Sequence, residues 1–513
     1  MKKVVLSDKL YIPISLYNEL SNPVKRRIKD EFTKTIFDPH LCEVFSQSLK
    51  CKKLDKYGQK ACRKCPKGRM IVKQYKLTKK FFSVDRGDKD LIHEIIQMMK
   101  SERKIKVVDR TSYEKFPKER KFKIYWNKLE GDRKEEQLRV CKNWNKKGYG
   151  QIIAPPRSGK TVIGVILSNW LKTRTAIIIH QKELLDQFYN SFYTFTNIRE
   201  KEEMLGHPLI EVNPKPKDVE SRNVCLYTWQ QFLSKKHGKD RLKDVRDKFG
   251  FIIIDESHRS CSKQYSNVIS RFKAKYRCGL TATPTRRDQL QVRSNLILGP
   301  PLIEGGSEQL SCLYSFVDTD FVVPNYKRWG TKEWNFLWKK LCEDTERNKL
   351  ILSYIKKDLK KGRKIIIPVK RVAHANTLVN MLNKKEPFKK GKYKAVSYVG
   401  GVKNRDTVTD DIKKGKYDVV VATKQMISLG FDAPPMDCLY SNVGGPVFDP
   451  NNFYQEYSRI RTKYENKKKP LIRVFIDDGD ICSKSANMMG KEFQRLKFKR
   501  IKGDEKNKKE RTI

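Results

Sequence analysis

The stretch that decides the fold of this 513-residue chain is residues 152–161, which read IIAPPRSGKT. Two isoleucines end an apolar strand, a turn-forming loop follows, and GKT opens the helical segment 162–171. In this strand–loop–helix order, the loop amides and the helix dipole hold phosphate groups. Lys160 neutralises those phosphates and the Thr161 hydroxyl ligates Mg²⁺. Ala154 replaces the first glycine of the pattern G-x-x-x-x-G-K-[ST], and the remainder predicts a phosphate-binding loop.

A second apolar strand ends in adjacent carboxylates, where residues 252–258 read IIIDESH. Asp255 can hold Mg²⁺ through water, and Glu256 can orient and deprotonate an attacking water. An isolated Asp-Glu pair is ordinarily a solvated strand end. The neighbouring phosphate loop favours the catalytic interpretation here.

Four short β-branched runs lie between charged or helical segments, at 177–179, 252–254, 365–367 and 419–421. Short continuous apolar strands that alternate with helices predict parallel sheets covered on both faces. We therefore predict an α/β fold with two tandem domains and a small basic N-terminal domain. The predicted boundaries are an N-terminal domain at 1–120, α/β domains at 121–300 and 341–480, a linker at 301–340 and a basic tail at 481–513.

The composition points to a polyanionic partner. The chain has 111 Lys+Arg against 59 Asp+Glu, a net charge of +52, and such a charge needs DNA, RNA or counterions. An AT-rich genome, which raises lysine usage, is the alternative source of part of this charge. The hydrophobic content of 38% argues against a wholly disordered chain.

Targeting signals are the next exclusion. No run reaches the ~18 apolar residues of a membrane span, and the N-terminus has no secretory signal pattern. We expect an intracellular protein, in the cytoplasm of a host cell or associated with a virion, that is neither secreted nor membrane-bound.

The N-terminal region adds four clustered cysteines, Cys42, Cys51, Cys62 and Cys65. Four thiolates match the ligand count of a structural zinc site, although the spacing differs from a standard zinc ribbon, and four unrelated thiols are the alternative. Residues 50–80 contain 13 Lys/Arg and one acid, Asp55. This run predicts phosphate contact, with a solvated basic loop as the alternative.

Taken together, the motifs resemble those of superfamily 2 helicases, in the DEAD/DEAH-related, UvsW/XPB-like branch that has phage and viral members. The segments that resemble motifs I, Ia, II, III, V and VI are APPRSGKT (154–161), IIIHQKELLDQ (177–187), DESH (255–258), GLTATPTRRD (279–288), VVVATKQMISLGFD (419–432) and QEYSRIR (455–461). Thr228-Trp229-Gln230 resembles the TWQ of the UvsW-type helicases. The resemblance covers roughly residues 130–480.

The resemblance implies that ATP and Mg²⁺ bind in a cleft between two RecA-like domains. The residues implied to contact ATP are Gln137, Pro156, Arg157, Ser158, Gly159, Lys160, Thr161, Gly430 and Asp432. The implied catalytic residues are Lys160, Asp255 and Glu256, with Mg²⁺ held through Thr161 and Asp255. The implied coupling residues are His258, Thr281, Thr283 and Gln455, and the implied nucleic-acid contacts are Thr228, Trp229 and Thr423.

Motif VI departs from the family pattern. Ser458 replaces its glycine, and the last arginine falls one place early, at Arg461, whereas Arg459 matches by position. Both arginines are therefore candidates for the arginine finger. Arg157 also stands where many relatives have glycine, and the departures leave a weak or inactive ATPase as an alternative.

Three hypotheses follow for the function. The first is an ATP-dependent DNA helicase or translocase that acts on duplex or branched DNA in recombination, repair or replication. The second is a viral RNA helicase, or an ATPase associated with transcription elongation or termination. The third is a non-catalytic basic scaffold that only binds nucleotide. Stimulation of ATP hydrolysis by DNA, by RNA or by neither separates the three hypotheses. The sequence gives no indication of the oligomeric state.

Overall fold

The structure of the protein, a computed structural model, has two compact units, Met1–Ser307 and Glu308–Ile513. Each unit contains one seven-stranded sheet, and the first unit also carries a five-stranded sheet. The residues that the structure describes are 2–37, 69–129, 131–155, 158–233, 241–283, 290–305, 309–326, 329–386, 388–401, 405–428, 433–446 and 450–501.

The N-terminal region of the first unit has a sheet of its own. Its elements are β1 (Lys2–Leu6), β2 (Lys9–Pro13), α1 (Ile14–Glu19), α2 (Asn22–Glu31), β3 (Thr33–Phe37), β4 (Arg69–Lys73), β5 (Tyr75–Leu77), β6 (Phe81–Asp85), α3 (Lys89–Glu102) and β7 (Ile105–Asp109). The sheet order is β5-β6-β2-β1-β7, and β3 pairs separately with β4. Strand β1 pairs in parallel with β7, and the remaining pairs are antiparallel.

The first seven-stranded sheet is parallel throughout, in the order β10-β11-β9-β12-β13-β8-β14. Its strands are β8 (Tyr149–Ile153), β9 (Thr175–Ile179), β10 (Ile210–Val212), β11 (Val224–Thr228), β12 (Phe251–Asp255), β13 (Tyr276–Thr281) and β14 (Pro301–Glu304). Its helices are α4 (Gly131–Lys147), α5 (Lys160–Leu171), α6 (Glu183–Phe195), α7 (Ile198–Leu205), α8 (Arg241–Val245), α9 (Lys263–Ser270) and α10 (Gln291–Leu298).

Both faces of this sheet are buried, because successive strand residues point to opposite sides. Ile253 of β12 packs in one apolar cluster with residues of α4, α5 and α6. Its neighbours Ile252 and Ile254 pack in a second cluster with residues of α9 and α10. This double burial explains why the strand is a continuous apolar run in the sequence.

Two buried arginines join the five-stranded sheet to the seven-stranded sheet. Arg277 of β13 is 2% exposed and donates through Nη2 to the backbone oxygen of Asp8 at 3.0 Å. Arg86, which follows β6, donates through Nη2 to the backbone oxygen of Ala274 at 2.5 Å. Leu296 of α10 packs within the N-terminal apolar core. Because a buried guanidinium that loses its acceptors is costly, the two sheets form one folded unit.

The second seven-stranded sheet is also parallel throughout, in the order β17-β18-β16-β19-β20-β15-β21. Its strands are β15 (Leu313–Val322), β16 (Ile365–Val369), β17 (Ala395–Tyr398), β18 (Val419–Thr423), β19 (Cys438–Ser441), β20 (Leu471–Asp478) and β21 (Lys499–Arg500). Its helices are α11 (Thr331–Glu343), α12 (Thr345–Lys360), α13 (Val372–Asn383), α14 (Arg405–Lys413), α15 (Lys424–Ser428), α16 (Pro450–Ser458) and α17 (Asp480–Arg495).

Two buried ion pairs hold α12 against β20. Arg347 donates to both oxygens of Asp477, at 2.7 and 3.1 Å, and Arg473 donates to both oxygens of Asp358, at 2.5 and 2.6 Å. The Tyr440 hydroxyl donates a further bond to Asp358 at 2.7 Å. Removing one partner of such a pair costs about 3–5 kcal/mol, because the other charge is left buried and unpaired.

The predicted α/β fold with two tandem domains is confirmed by the two parallel sheets and their covering helices. The elements extend beyond the predicted domain boundaries. Strand β15 lies inside the predicted linker 301–340, and α17 and β21 lie in the predicted tail 481–513. Met489 and Phe493 of α17 are fully buried, whereas basic residues on its outer face give the segment its charged composition.

Two further observations bear on the composition. The eight cysteines within the described residues are free thiols, and seven of them are buried. Across the described ranges, no helix combines the length and the apolar character that crossing a bilayer requires.

Candidate functional site

The predicted phosphate loop connects β8 to α5. Gly159 precedes the helix at φ 84°, in the left-handed region that favours glycine. A Cβ at this position would lie 2.0 Å from Nε2 of Gln137, so a larger residue would also collide with α4. Glycine is therefore favoured here by the backbone conformation, and a Cβ would in addition displace the side chain of Gln137. Lys160 and Thr161 occupy the first turn of α5.

Gln137 of α4 supports this loop. It is 5% exposed, and its Nε2 donates to the backbone oxygen of Ser158 at 3.2 Å. The Ser158 hydroxyl in turn donates to the backbone oxygen of Pro155 at 2.8 Å. The residue that the family resemblance associates with adenine thus lies against the phosphate loop itself.

The two carboxylates lie at the end of β12, facing the loop lysine. Nζ of Lys160 is 3.6 Å from Oε1 of Glu256. Glu256 has φ 47°, a left-handed conformation that costs a residue with a Cβ on the order of 1–2 kcal/mol. Backbone strain of this kind clusters at functional sites, and here it accompanies the contact between Glu256 and Lys160.

The electrostatics of the two carboxylates differ. Burial, together with the negative charge of Glu256, raises the pKa of Asp255 to about 7. Burial also acts to raise the pKa of Glu256, but the charge of Lys160 and the contact with His258 outweigh it and bring the pKa well below its ordinary value. Glu256 is therefore ionised at neutral pH, whereas Asp255 needs a further positive charge to be fully ionised.

The residues fit a magnesium ion. The Asp255 carboxylate and the Thr161 hydroxyl are hard oxygen donors of the kind that Mg²⁺ prefers. The pKa of Asp255 is raised by its surroundings, so a cation bound beside this carboxylate would favour its ionised form.

His258 connects the carboxylates to the end of the next strand. Its Nδ1 lies 3.2 Å from Oε2 of Glu256 and 2.9 Å from the hydroxyl oxygen of Thr281. Thr283 approaches the same nitrogen at 3.4 Å. The structure thus brings together the three residues predicted to couple in the first unit, His258, Thr281 and Thr283, and places them beside Glu256.

A buried polar network beneath this turn was not predicted from the sequence. The Ser257 hydroxyl donates to Oε1 of Gln151 at 2.7 Å, and Nε2 of Gln151 donates to the backbone oxygen of Gly299 at 2.9 Å. Gly279 must be small, because a Cβ there would lie 2.7 Å from Cγ of Gln151. The available signal was a glutamine within the otherwise apolar strand β8.

The predicted nucleic-acid residues of the first unit adjoin the motif Ia segment. Nε1 of Trp229 donates to Nδ1 of His180 at 3.3 Å, and the indole stacks on Tyr265 with centroids 5.0 Å apart. Thr228 ends β11 and pairs in register with Ile179 of β9. The TWQ segment and motif Ia therefore form one surface at the carboxyl edge of the first sheet.

The two candidate finger arginines of the second unit have different surroundings. Arg459 is 5% exposed, and its Nη2 donates to the backbone oxygen of Ile427, within motif V, at 2.7 Å. Arg461 donates through Nε to the backbone oxygen of Leu310 at 2.9 Å and lies 5.0 Å from the ring centroid of Phe498. Arg459 therefore lies with motif V, whereas Arg461 holds together two parts of the second unit.

Motifs V and VI are also joined by an ion pair. Thr423 ends β18, and the next residue, Lys424, places its Nζ 3.2 Å from Oε1 of the buried Glu456. Burial raises the pKa of Glu456. Gln455 precedes it on α16 and is also buried.

Several predicted residues lie outside the described residues. These are Pro156 and Arg157 of the phosphate loop, Gly430 and Asp432 of motif V, and the candidate zinc ligands Cys42, Cys51, Cys62 and Cys65. Within the ranges that the structure does describe, no group of three or more His, Cys, Asp or Glu residues could hold a metal ion.

Comparison with known proteins yields related helicases. Residues 93–286 match the family described as "Type III restriction enzyme, res subunit". The protein L396 of Acanthamoeba polyphaga mimivirus, named as an ATP-dependent RNA helicase, is 25% identical over 70% of this chain and 66% of its own length. The XPB helicase/translocase subunit of general transcription and DNA repair factor IIH from Encephalitozoon cuniculi is 26% identical over 32% of this chain and 24% of its own length.

Among solved structures, T4 UvsW aligns with 98% of this chain and 99% of its own, at 16% identity and a TM-score of 0.37. The chain matches less than two thirds of the length of the mimivirus protein and about a quarter of the XPB subunit. The order of the motifs and these matches make the chain similar to superfamily 2 helicases, and the family match itself covers residues 93–286.

Proposed function

We propose that this protein is a nucleic-acid-dependent ATPase that translocates on duplex or branched DNA during recombination, repair or replication. The observation that carries the proposal is the contact of Lys160 with Glu256 at 3.6 Å, beside Asp255 and directly after a phosphate-loop glycine. A charged cluster of this kind at the carboxyl edge of a parallel sheet can bind the phosphates of a nucleoside triphosphate and its metal ion.

The roles of the residues follow from their charges. Lys160 binds the β- and γ-phosphates of ATP, and the ionised Glu256 accepts a hydrogen bond from the attacking water and orients it. A carboxylate of low pKa is a weak base, so orientation is the larger part of its role. Asp255 and Thr161 would hold Mg²⁺, which neutralises charge on the phosphate oxygens when bound. We assign the arginine finger to Arg459.

The coupling to nucleic acid is proposed to run through His258. This side chain lies within hydrogen-bond distance of both Glu256 and Thr281, so loss of the γ-phosphate near Glu256 would alter its contact with the end of β13. Trp229 of the first unit and Thr423 of the second are the proposed strand contacts. Gln455 is the proposed counterpart of His258 in the second unit.

A second candidate is a motor that acts on RNA or on a transcription complex. The mimivirus relative that matches 70% of this chain is named as an RNA helicase, whereas the XPB match covers 32%. Either activity would take place inside an infected cell if the chain, like this relative, is viral.

The test is steady-state ATP hydrolysis with a panel of polynucleotides. Blunt duplex DNA, a four-way DNA junction, single-stranded RNA and duplex RNA are compared at equal nucleotide concentration and fixed salt. Strongest stimulation by duplex or branched DNA is expected. Strongest stimulation by RNA would favour the second candidate, and absence of turnover with every polynucleotide would leave only a nucleotide-binding scaffold.

We also propose that Cys42, Cys51, Cys62 and Cys65 bind one structural zinc ion. What supports this is the number of thiols and their setting in a segment whose basic composition offers few apolar side chains to bury, so that a metal would help to stabilise it. Elemental analysis of the purified protein should give about one zinc per chain, and Cys62→Ser and Cys65→Ser should each release it. A zinc-free wild-type protein with full DNA affinity would identify the four residues as ordinary thiols.

A further inference from the structure

Four aromatic side chains of the second unit form a continuous series, which we term the aromatic ladder: Tyr326, Trp329, Trp334 and Trp338. The ring centroids of Tyr326 and Trp329 are 5.2 Å apart, and those of Trp329 and Trp334 are 4.6 Å apart. Trp338 follows at 5.9 Å from Trp334, with the two indole planes inclined by 27°. Trp334 and Trp338 lie four residues apart on α11, which places them on one face of the helix.

The ladder begins at the carboxyl edge of the second sheet. Lys370, the residue after β16, holds its Nζ 5.0 Å from the ring centroid of Trp338. Val369, the last residue of β16, pairs in register with Thr423 of β18. Trp338 therefore contacts a residue, Lys370, at the same sheet edge as Thr423, which we propose as the nucleic-acid contact of this unit.

A glycine on a third strand end lies against Trp338. Gly445, which follows β19, has φ 103°, and a Cβ there would lie 3.5 Å from Cδ1 of Trp338. Its neighbour Gly444 approaches so closely that a Cβ would lie 2.6 Å from the backbone nitrogen of Lys370. The strand ends on either side thus fix the position of Lys370 and of the indole beneath it.

The ladder is half-buried and its surroundings are positive. Trp329 and Trp334 pack against the apolar core of the unit on one side, and none of the three indoles is fully buried. Glu333, on the same helix, accepts a hydrogen bond from the backbone nitrogen of Gly330 at 2.8 Å. The basic residues of α11 and of the adjoining strand end are Lys332, Lys339, Lys340, Lys370 and Arg371.

We propose that the aromatic ladder binds an unpaired nucleic-acid strand, with bases stacked on the indoles and phosphates contacted by Lys370 and its basic neighbours. The proposal rests on the proposed function, which requires nucleic acid as the substrate. Unpaired bases are favoured over duplex, because the bases of a duplex already stack on one another and present no free face. Stacking accepts every base and is worth about 5- to 150-fold in affinity per base.

The alternative is that the ladder only packs α11 against the sheet. Packing needs apolar volume but no aromatic face, so leucine would serve it at Trp338, whereas stacking requires a ring. The same helix offers a matched control in Phe336, which is 44% exposed and whose ring lies beneath Lys340 and not within the ladder.

The test is fluorescence anisotropy of the full-length protein with labelled dT15, rU15 and a 15-base-pair DNA duplex, without ATP. Trp338→Leu should weaken binding of an unpaired strand about 5- to 150-fold and change duplex binding less than twofold. Trp338→Phe should restore affinity to within about threefold, and Phe336→Leu should have no effect. Lys370→Gln should reduce the slope of log affinity against log salt by about 0.7. Comparison of dT15 with rU15 shows whether the strand is DNA or RNA.

Equal losses on duplex and unpaired strands, or wild-type affinity in Trp338→Leu, would overturn the proposal. A measurement on the wild-type protein avoids dependence on how the variants fold. Ultraviolet crosslinking to dT15 that contains 5-bromouracil should label tryptic peptide 333–339, which carries Trp334 and Trp338. Crosslinks confined to other peptides would contradict it.

The outcome remains separable from that of the proposed function. If the wild-type protein hydrolyses ATP in response to DNA but the ladder variants bind dT15 normally, only the proposal for the aromatic ladder is rejected. If the protein does not hydrolyse ATP but the ladder variants lose dT15 binding, the proposal for the aromatic ladder stands and the proposed ATPase function is rejected.

Discussion

The carboxyl edges of the two seven-stranded sheets have the same architecture and different chemistry. In the first unit this edge carries paired opposite charges, Lys160 and Glu256, with Asp255 beside them. In the second unit it carries Lys370 above Trp338, from which the series of indoles continues, and the ion pair of this edge, Lys424 with Glu456, joins two motifs. A parallel sheet therefore supplies the position of a site, and the residues that follow each strand decide what it binds.

The second unit also shows two uses of an arginine side chain. Arg459 donates to a backbone oxygen within motif V, whereas Arg461 donates to Leu310 and lies near two aromatic rings. Only the first arrangement leaves an arginine beside residues proposed to contact nucleotide. The predictions below test this division, from the largest expected effect to the smallest.

Lys160→Ala should reduce ATP hydrolysis to background, by more than about 10³-fold, because it removes the charge that binds the transferring phosphate. The fold should persist, since Lys160 is only partly buried and is not part of the apolar core. Lys146→Ala, which removes an exposed lysine from α4, is the matched control and should keep full turnover. Substantial turnover in Lys160→Ala would show that the first edge is not a nucleotide site.

Arg459→Ala should lower the maximal rate by about 10³-fold, as expected for a transition-state finger. Arg461→Ala should leave the rate within about threefold and lower the melting temperature, because it removes a partly buried hydrogen bond worth about 1 kcal/mol. Both the rate and the melting temperature are measured for each variant. If only Arg461→Ala abolishes turnover, the alignment of motif VI is displaced by one residue.

Glu256→Gln should slow hydrolysis by about 10²-fold and preserve nucleotide binding, because the amide keeps the shape of the side chain but loses the charge that orients water. Single-turnover kinetics with a nucleotide-binding titration separates the two effects. Glu304→Gln, at the exposed end of β14 in the same sheet, is the control and should be unchanged. Equal rates in the two variants would remove Glu256 from the mechanism.

Thr423→Val should weaken nucleic-acid stimulation of the ATPase by about two- to tenfold, since it deletes one hydroxyl while keeping the shape of the side chain. Basal turnover without nucleic acid should not change. The measurement is the concentration of DNA that gives half-maximal stimulation, with the exposed Thr345→Val on α12 as the control. An unaltered value would place the strand contact of the second unit elsewhere.

The strands and the phosphate loop were predictable because their signals are local. Ile252–Ile254 are consecutive apolar residues because helices cover both faces of the sheet. Gly159 and Lys160 are adjacent because the loop passes directly into the first turn of α5. The place of Asp255 and Glu256 at a strand end follows from the same short-range pattern. Each of these features can be recognised from residues that are close together in the sequence.

Other features depend on contacts between distant parts of the chain. Helix α17 was predicted as part of a basic tail, because the basic residues on its outer face dominate its composition. That Met489 and Phe493 are buried becomes evident only when the helix packs on its sheet. The docking of the N-terminal sheet rests on Arg277 and Asp8, which are 269 residues apart in the chain. No local pattern distinguishes such a buried arginine from an exposed one.

By itself, the sequence determined the two parallel sheets, the order of the motifs and the charged residues that follow the strands of the first unit. Only the tertiary structure decided that Arg461 is bonded to Leu310, 151 residues away, and that Trp329, Trp334 and Trp338 form one series beneath Lys370. The physical reason is range. Strand and loop propensities are encoded within a few residues, whereas the surroundings of an arginine or an indole depend on which distant segments the folded core brings together.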